Sequence, residues 1–152
     1  SRSRDTLSLS PYDVINPSGT SFNVVFDSSQ AVANAPMVFW YSALNNKRYR
    51  SYSNSLGKIV AQVSSDAITI VSPEWVRGEV QNFSGTYDGA ISKLYVDKVF
   101  VSQDASSEPI EINPANVFYI GGSTGNTQTI NGHMSKFTTY AQALTQQEIA
   151  LL

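Results

Sequence analysis

The chain has 152 residues, 41% hydrophobic and 11% aromatic, and only 14% are charged. That many aromatic side chains exclude a disordered segment, which lacks the apolar surface to offset its chain entropy. A formal net charge of -2 argues against a nucleic-acid binder relying on bulk positive charge, and the absence of cysteine removes disulfides, thiolate zinc sites and cysteine nucleophiles.

A chain of this length buries enough surface to stand as one domain over 1–152, with no linker or repeat dividing it. No run approaches the roughly 18 apolar residues that span a bilayer, so no membrane insertion is expected. No basic segment followed by an apolar stretch opens the chain, which predicts no signal peptide. The start at Ser1-Arg2-Ser3-Arg4 without a methionine points to a C-terminal fragment of a longer protein.

The hydrophobic period is mostly two, in short runs of Val, Ile, Tyr, Phe and Thr broken by Gly, Asn, Asp and Ser. It predicts strands near 5–10, 20–27, 36–44, 48–53, 58–64, 67–72, 79–88, 91–97, 99–102, 109–112, 116–121 and 132–141. Asn45-Asn46, Ser55-Leu56-Gly57-Lys58 and Asp88-Gly89 read as hairpin turns. Pro36, Pro73, Pro109 and Pro114 fall at strand edges, where a missing N–H costs little.

Alternation assigns faces. Phe83, Gly85 and Tyr87 share one side against Asn82, Ser84 and Thr86, and Leu94 and Val96 oppose Lys93, Tyr95 and Asp97. Tyr87, Leu94, Val96, Ile120 and Phe137 read as core. One buried and one polar face per strand suits two antiparallel sheets packed together. Only the end reads as helical: Thr145-Gln146-Gln147-Glu148 has the form of a capping box, flanked by Leu144 and Ile149 as a hydrophobic staple. A short helical turn there pins Leu144, Ile149 and Leu152 onto the sandwich.

Trp75, Gly85-Thr86-Tyr87-Asp88-Gly89, Lys93-Leu94-Tyr95-Val96-Asp97, Phe118-Tyr119-Ile120-Gly121-Gly122, the stretch 131–140 and the closing stretch 143–152 resemble, in order and spacing, a laminin-G-like domain. That resemblance implies an all-β fold, a two-sheet antiparallel jelly-roll sandwich (concanavalin A-like) with a short C-terminal helical turn. The first half, with Arg4-Asp5-Thr6-Leu7-Ser8-Leu9, Phe22 to Phe26 and Asn45 to Arg50, is similar to the lectin-like domains of bacteriophage tail fibre proteins. This implies a virion domain acting extracellularly on cell-surface carbohydrate of a bacterial host, in a homotrimeric parent protein. One departure stands out: Lys98 follows Asp97 where the pattern usually has glycine, so a bulged or longer turn is expected there.

Glucanases sharing the sandwich attack and protonate with two carboxyls about 5–5.5 Å apart. Glu108 with Glu111, or Glu74 with Glu79, are the nearest pairs, and spacings of three and five do not place both on one face of a continuous strand. Gly121-Gly122-Ser123-Thr124-Gly125 lacks the lysine and helix of a phosphate loop. His133, inside the final strand, reads as a structural histidine. The laminin-G resemblance makes calcium a possible cofactor, held at a sandwich rim by Asp88 with Asp27 or Asp104 and backbone carbonyls; otherwise Asp88 forms its turn.

The stretch Asn45, Asn46, Lys47, Arg48, Tyr49, Arg50, Ser51, Tyr52 combines amide and guanidinium donors with aromatic faces. Sugars are held by such groups, through planar hydrogen bonding to hydroxyls and ring stacking on the C–H face, and an anionic glycan adds charge-assisted contacts. Tyr49 points opposite to Arg48 and Arg50, whereas Tyr52 shares their side; Tyr52 is the stacking candidate and Tyr49 a core residue. The loop holding Ser123, Thr124 and Asn126 is a second candidate, because loops on rigid sandwiches carry function. The resulting expectation is a non-catalytic, carbohydrate-binding fibre domain. The alternatives are a structural module that trimerises or caps a fibre, and a non-viral adhesion domain of laminin-G type.

Overall fold

Period-two alternation becomes two antiparallel sheets in the computed structural model, which describes residues 7–27, 37–42, 48–53, 58–62, 70–74, 80–105, 110–122 and 133–152. The strands are β1 (Leu7–Leu9), β2 (Thr20–Asp27), β3 (Met37–Ser42), β4 (Arg48–Ser53), β5 (Lys58–Gln62), β6 (Ile70–Glu74), β7 (Gln81–Tyr87), β8 (Ile91–Val96), β9 (Val99–Ala105), β10 (Phe118–Ile120) and β11 (His133–Tyr140). A 3-10 turn, Pro11–Asp13, follows β1, and the helix α1 (Gln146–Ala150) comes last. One sheet runs β1-β10-β3-β4-β5-β6, the other β11-β2-β7-β8-β9. The jelly-roll sandwich and its closing helix stand as the sequence implied.

Aromatic rings fill the space between the sheets. Phe22, Phe39, Tyr41, Tyr49, Phe83, Tyr87 and Phe118 are almost wholly buried. Phe39 sits at the centre, edge-on to Phe22 at 4.7 Å and stacked on Phe118 at 5.5 Å between centroids. Such pairs contribute about 0.5–1.5 kcal/mol beyond their buried area. Gly85 lies opposite Phe22 in the β2–β7 register, and a Cβ there would collide with the Phe22 ring. This position is glycine because its neighbour's ring lies over the backbone. Of the expected core, Tyr87 and Leu94 are buried, Ile120 and Phe137 pack against the cluster from its margin, and Val96 is half-buried.

The structure corrects the sequence reading at several places. Residues 110–112 form no strand. Ile110 is buried instead as a single anchor, while the Tyr41 hydroxyl accepts from the Asn113 N–H (2.6 Å) and donates to the Asn113 carbonyl (3.2 Å), so that segment's backbone bonds go to a side chain rather than a neighbouring strand. Pro73 falls inside edge strand β6, at a register shift where Lys58 pairs Glu74 and Val60 pairs Val71; the irregularity takes the residue that has no N–H to donate. The turn between β8 and β9 is a tight two-residue connection, not a longer one. Asp97 and Lys98 both adopt positive φ, 48° and 68°. An extra β9 residue is accommodated further along, between the Leu94–Ser102 and Tyr95–Phe100 pairs. His133 is exposed at the first position of β11.

Tyr95 also departs from its expected polar face. It is buried with Leu144 and Ile149, and Tyr140 and Leu152 pack against them. The capping box forms as read: Thr145 Oγ1 accepts from the Glu148 N–H (3.3 Å), and the Thr145 N–H donates to Glu148 Oε2 (2.7 Å). The Leu144 N–H donates to Ser21 Oγ at 2.9 Å, Gln146 donates to the Lys98 carbonyl at 3.2 Å, and Lys98 Nζ donates to the Ala150 carbonyl at 3.3 Å. The C-terminal segment is thereby fastened across the outer side of the five-stranded sheet.

Candidate functional site

Strand β4 lies inside the six-stranded sheet, between β3 and β5. Its sequence, Arg48-Tyr49-Arg50-Ser51-Tyr52-Ser53, alternates through the sheet. Tyr49 and Ser51 are buried among core residues, whereas Arg48, Arg50 and Tyr52 are half-exposed. Burial holds the Tyr49 hydroxyl, which faces Thr20, well above the usual tyrosine range, so it stays a neutral core group. The expected division of β4 into a core tyrosine and an outward Arg–Arg–Tyr set is what the strand adopts.

The guanidinium carbon of Arg50 stands 4.8 Å from the centroid of the Tyr52 ring. A cation–π contact of this kind contributes about 0.5–1 kcal/mol at an exposed site and restricts both side chains. Arg50 lies opposite Trp40 of β3 and Gln62 of β5, and Trp40 lies opposite Tyr119 of β10. Tyr119, half-exposed between the inward Phe118 and Ile120, therefore belongs to the same register row as Arg50. Sequence reasoning used Tyr119 only as part of a motif. The signal was available: a tyrosine between two core positions of a strand must face away from them.

The remaining candidates divide. Asn45, Asn46 and Lys47, the loop residues Ser123, Thr124 and Asn126, and Trp75 lie outside the described residues. Asp88 occupies the β7–β8 turn, where one carboxylate oxygen accepts from the Ile91 N–H (2.7 Å) and the Ala90 N–H (3.0 Å). The Ile91 bond, against a smaller opposing effect of burial, holds its carboxyl below the usual range. Asp104 of β9 is at the same end of the sheet, opposite Ser92, while Asp27 ends β2 at the far end, opposite His133. The register thus separates Asp27 from Asp88 by nearly the length of a strand. Among the described residues no group of three or more His, Cys, Asp or Glu side chains comes together. In each of the two carboxylate pairs considered for glycoside chemistry one partner, Glu79 or Glu108, lies outside the described residues. Among the described residues, no helix is long and apolar enough to cross a membrane.

Comparison with known proteins places this geometry. A pentraxin from Limulus polyphemus, solved as a native heptamer, superposes with a TM-score of 0.69 at 15% identity, over 90% of this chain and 70% of that one. The CBM40 module of a Ruminococcus gnavus sialidase, solved with bound alpha2,3 sialyllactose, gives 0.68 at 12% identity, over 90% and 83%. Domain 4 of the extracellular arabinanase AbnA of Geobacillus stearothermophilus, in complex with arabinotriose, gives 0.67 at 12% identity, over 90% and 66%. No curated protein sequence matches the chain. At these identities the superpositions establish the fold. The family model of the concanavalin A-like lectin/glucanases superfamily matches residues 3–150, nearly the whole chain, and the protein belongs to that family.

Proposed function

We propose that this domain binds carbohydrate without transforming it, and that the outer side of the six-stranded sheet is the binding surface. The observation that carries the proposal is the outward Arg48–Arg50–Tyr52 set on an interior strand, with Arg50 braced on the Tyr52 ring. A braced guanidinium offers donors in a fixed plane, and a half-exposed tyrosine offers a face for the C–H side of a pyranose. Two structural neighbours were solved with oligosaccharides bound, which supports a sugar ligand for this sandwich. Ser123, Thr124 and Asn126, which follow β10 in the chain, and Asn45, Asn46 and Lys47, which precede β4, are proposed as further contacts.

The resemblance of the N-terminal half to tail fibre lectin domains supports a finer reading. The domain would sit on a bacteriophage fibre, outside the cell, recognise surface glycan of a bacterial host, and be presented as a trimer that gains avidity from several weak sites. Calcium, if bound, would use Asp88 and Asp104 at the rim of the five-stranded sheet, remote from β4 along the chain. A glycan array probed with the purified domain tests the proposal: binding to a defined subset of glycans, weakened by Tyr52→Ala, is the expected result. An empty array would leave a structural fibre module as the reading.

A further inference from the structure

Strand register sets the direction in which a ligand can lie on the six-stranded sheet. Tyr119 of β10 is opposite Trp40 of β3, Trp40 is opposite Arg50 of β4, and Arg50 is opposite Gln62 of β5. Positions 119, 40, 50 and 62 therefore form one row across four of the six strands. Two tyrosines on this sheet are half-exposed among the described residues, Tyr119 in the row and Tyr52 beside it. They belong to strands two steps apart, so a ligand touching both rings has to cross the strands rather than follow one.

Spacing gives the length of that ligand. Two strand steps separate the backbones at Tyr119 and Arg50 by about 9.4–9.8 Å, roughly the span of two pyranose units in an extended chain. The third step, to Gln62, brings the row to roughly 14–15 Å, about three units. Tyr52 lies two residues beyond Arg50 on β4, and its ring centroid stands 4.8 Å from the Arg50 guanidinium carbon, which holds the ring towards the row. The path along the strands is shorter. Val60 of β5, opposite Tyr52 and on the side away from the core residue Ala61, is almost wholly buried, so the outer side is closed beside Tyr52.

We infer that the ligand is a stretch of linear glycan chain laid across the strands, stacked on Tyr119 at one point and on Tyr52 at another. This deepens the carbohydrate-binding reading and rests on it. The ligand class is a linear oligosaccharide or polysaccharide of at least about three units, long enough to reach both rings. Arg50 acts here as a positioning residue, through the Tyr52 ring it braces. A single sugar, or the tip of a compact branched glycan, reaches one ring only and binds weakly. Each ring contributes an apolar face to the C–H side of a pyranose, so the second contact adds affinity without a new polar group.

The test is calorimetric titration of the domain with linear homo-oligosaccharides of glucose, mannose, galactose and N-acetylglucosamine, each graded in length from the monosaccharide to the hexasaccharide. In the series that binds, affinity should rise about tenfold between the disaccharide and the tetrasaccharide and then level off, the factor supplied by a second stacking contact of about 1.4 kcal/mol. Tyr119→Ala should remove the rise while changing disaccharide affinity little, and Tyr119→Phe, which keeps a ring, should restore it. Melting temperatures close to the parent's confirm that both variants fold. Equal affinity for the monosaccharide and every longer member, or a rise that survives in Tyr119→Ala, would overturn the chain-binding inference while leaving the carbohydrate site in place. No binding to any member of any series would overturn the site and this inference together.

Discussion

The two sheets share one pattern, a strand alternating between core and outer side, yet their outer sides have opposite fates. On the five-stranded sheet the chain covers itself. Tyr95 is buried under Leu144 and Ile149, and Ser21 and Asn23 are fully buried although both are polar. Ser21 Oγ is used twice, accepting from the Leu144 N–H and donating to the Gln142 carbonyl at 2.8 Å, and the Asn23 amide donates to Asn82 and Ser84. On the six-stranded sheet Arg48, Arg50, Tyr52 and Tyr119 stay half-exposed. Ser21 is thus accounted for by the chain's own closing segment, and the Asn23 amide by the neighbouring strand β7. The outward aromatic–guanidinium pair on the second stays half-exposed, and this difference directs the search for a ligand to β4.

The largest effect that tests this contrast lies beneath the surface. Tyr49→Ala empties a fully buried site among Phe22, Phe39 and Phe118 and should cost about 3–5 kcal/mol, measured by denaturant unfolding. A cost below about 1 kcal/mol would mean that Tyr49 is not the core member of its strand. Ile149→Ala should cost about 2–4 kcal/mol by uncovering Tyr95, and its glycan affinity should be unchanged, because the proposed site lies on the other sheet. Thr145→Ala removes the cap and should cost about 1 kcal/mol, again with binding intact.

The smallest effect is on pH dependence. Asp88 and Glu148 are both held below the usual carboxylate range by hydrogen bonds, chiefly from the Ile91 and Thr145 backbone N–H groups. A carboxyl whose folded pKa is depressed stabilises the fold above its unfolded value and loses that contribution as pH falls through the folded one. The melting temperature should therefore be flat from neutral pH down to about 5 and decline below about 4. Asp88→Asn should soften the decline, as seen by thermal melts across that range.

What was legible in the sequence was local. Thr145 and Glu148 are three residues apart, so the capping box needed no tertiary information, and the division of β4 into Tyr49 and Arg48, Arg50 and Tyr52 followed from period two. What misled was distant. Ile110 and Ile112 alternate as a strand would, and only the Tyr41 hydroxyl, far away in the chain, shows where that segment's backbone bonds go. Tyr95 sits between Lys93 and Asp97 as if exposed, and no property of β8 discloses the helix that covers it. Lys98 lacks glycine's freedom, yet the tight turn is retained with both its side chain and its carbonyl tied to α1. The candidate site was half legible: β4 supplied its strand, but the placing of Tyr119 in the Arg50 row depends on β10 pairing with β3, which alternation alone does not reveal.

The central claim is that binding resides on the six-stranded sheet and closure on the five-stranded one. Its most direct test is a paired measurement of glycan affinity and melting temperature on Tyr52→Ala and Thr145→Ala. The account predicts a double dissociation: Tyr52→Ala loses at least tenfold in affinity with a melting temperature close to the parent's, as a stacking contribution of about 1.4 kcal/mol or more implies, while Thr145→Ala melts several degrees lower and binds normally. A Tyr52→Ala protein with unchanged affinity, beside a Thr145→Ala protein that no longer binds, would contradict it.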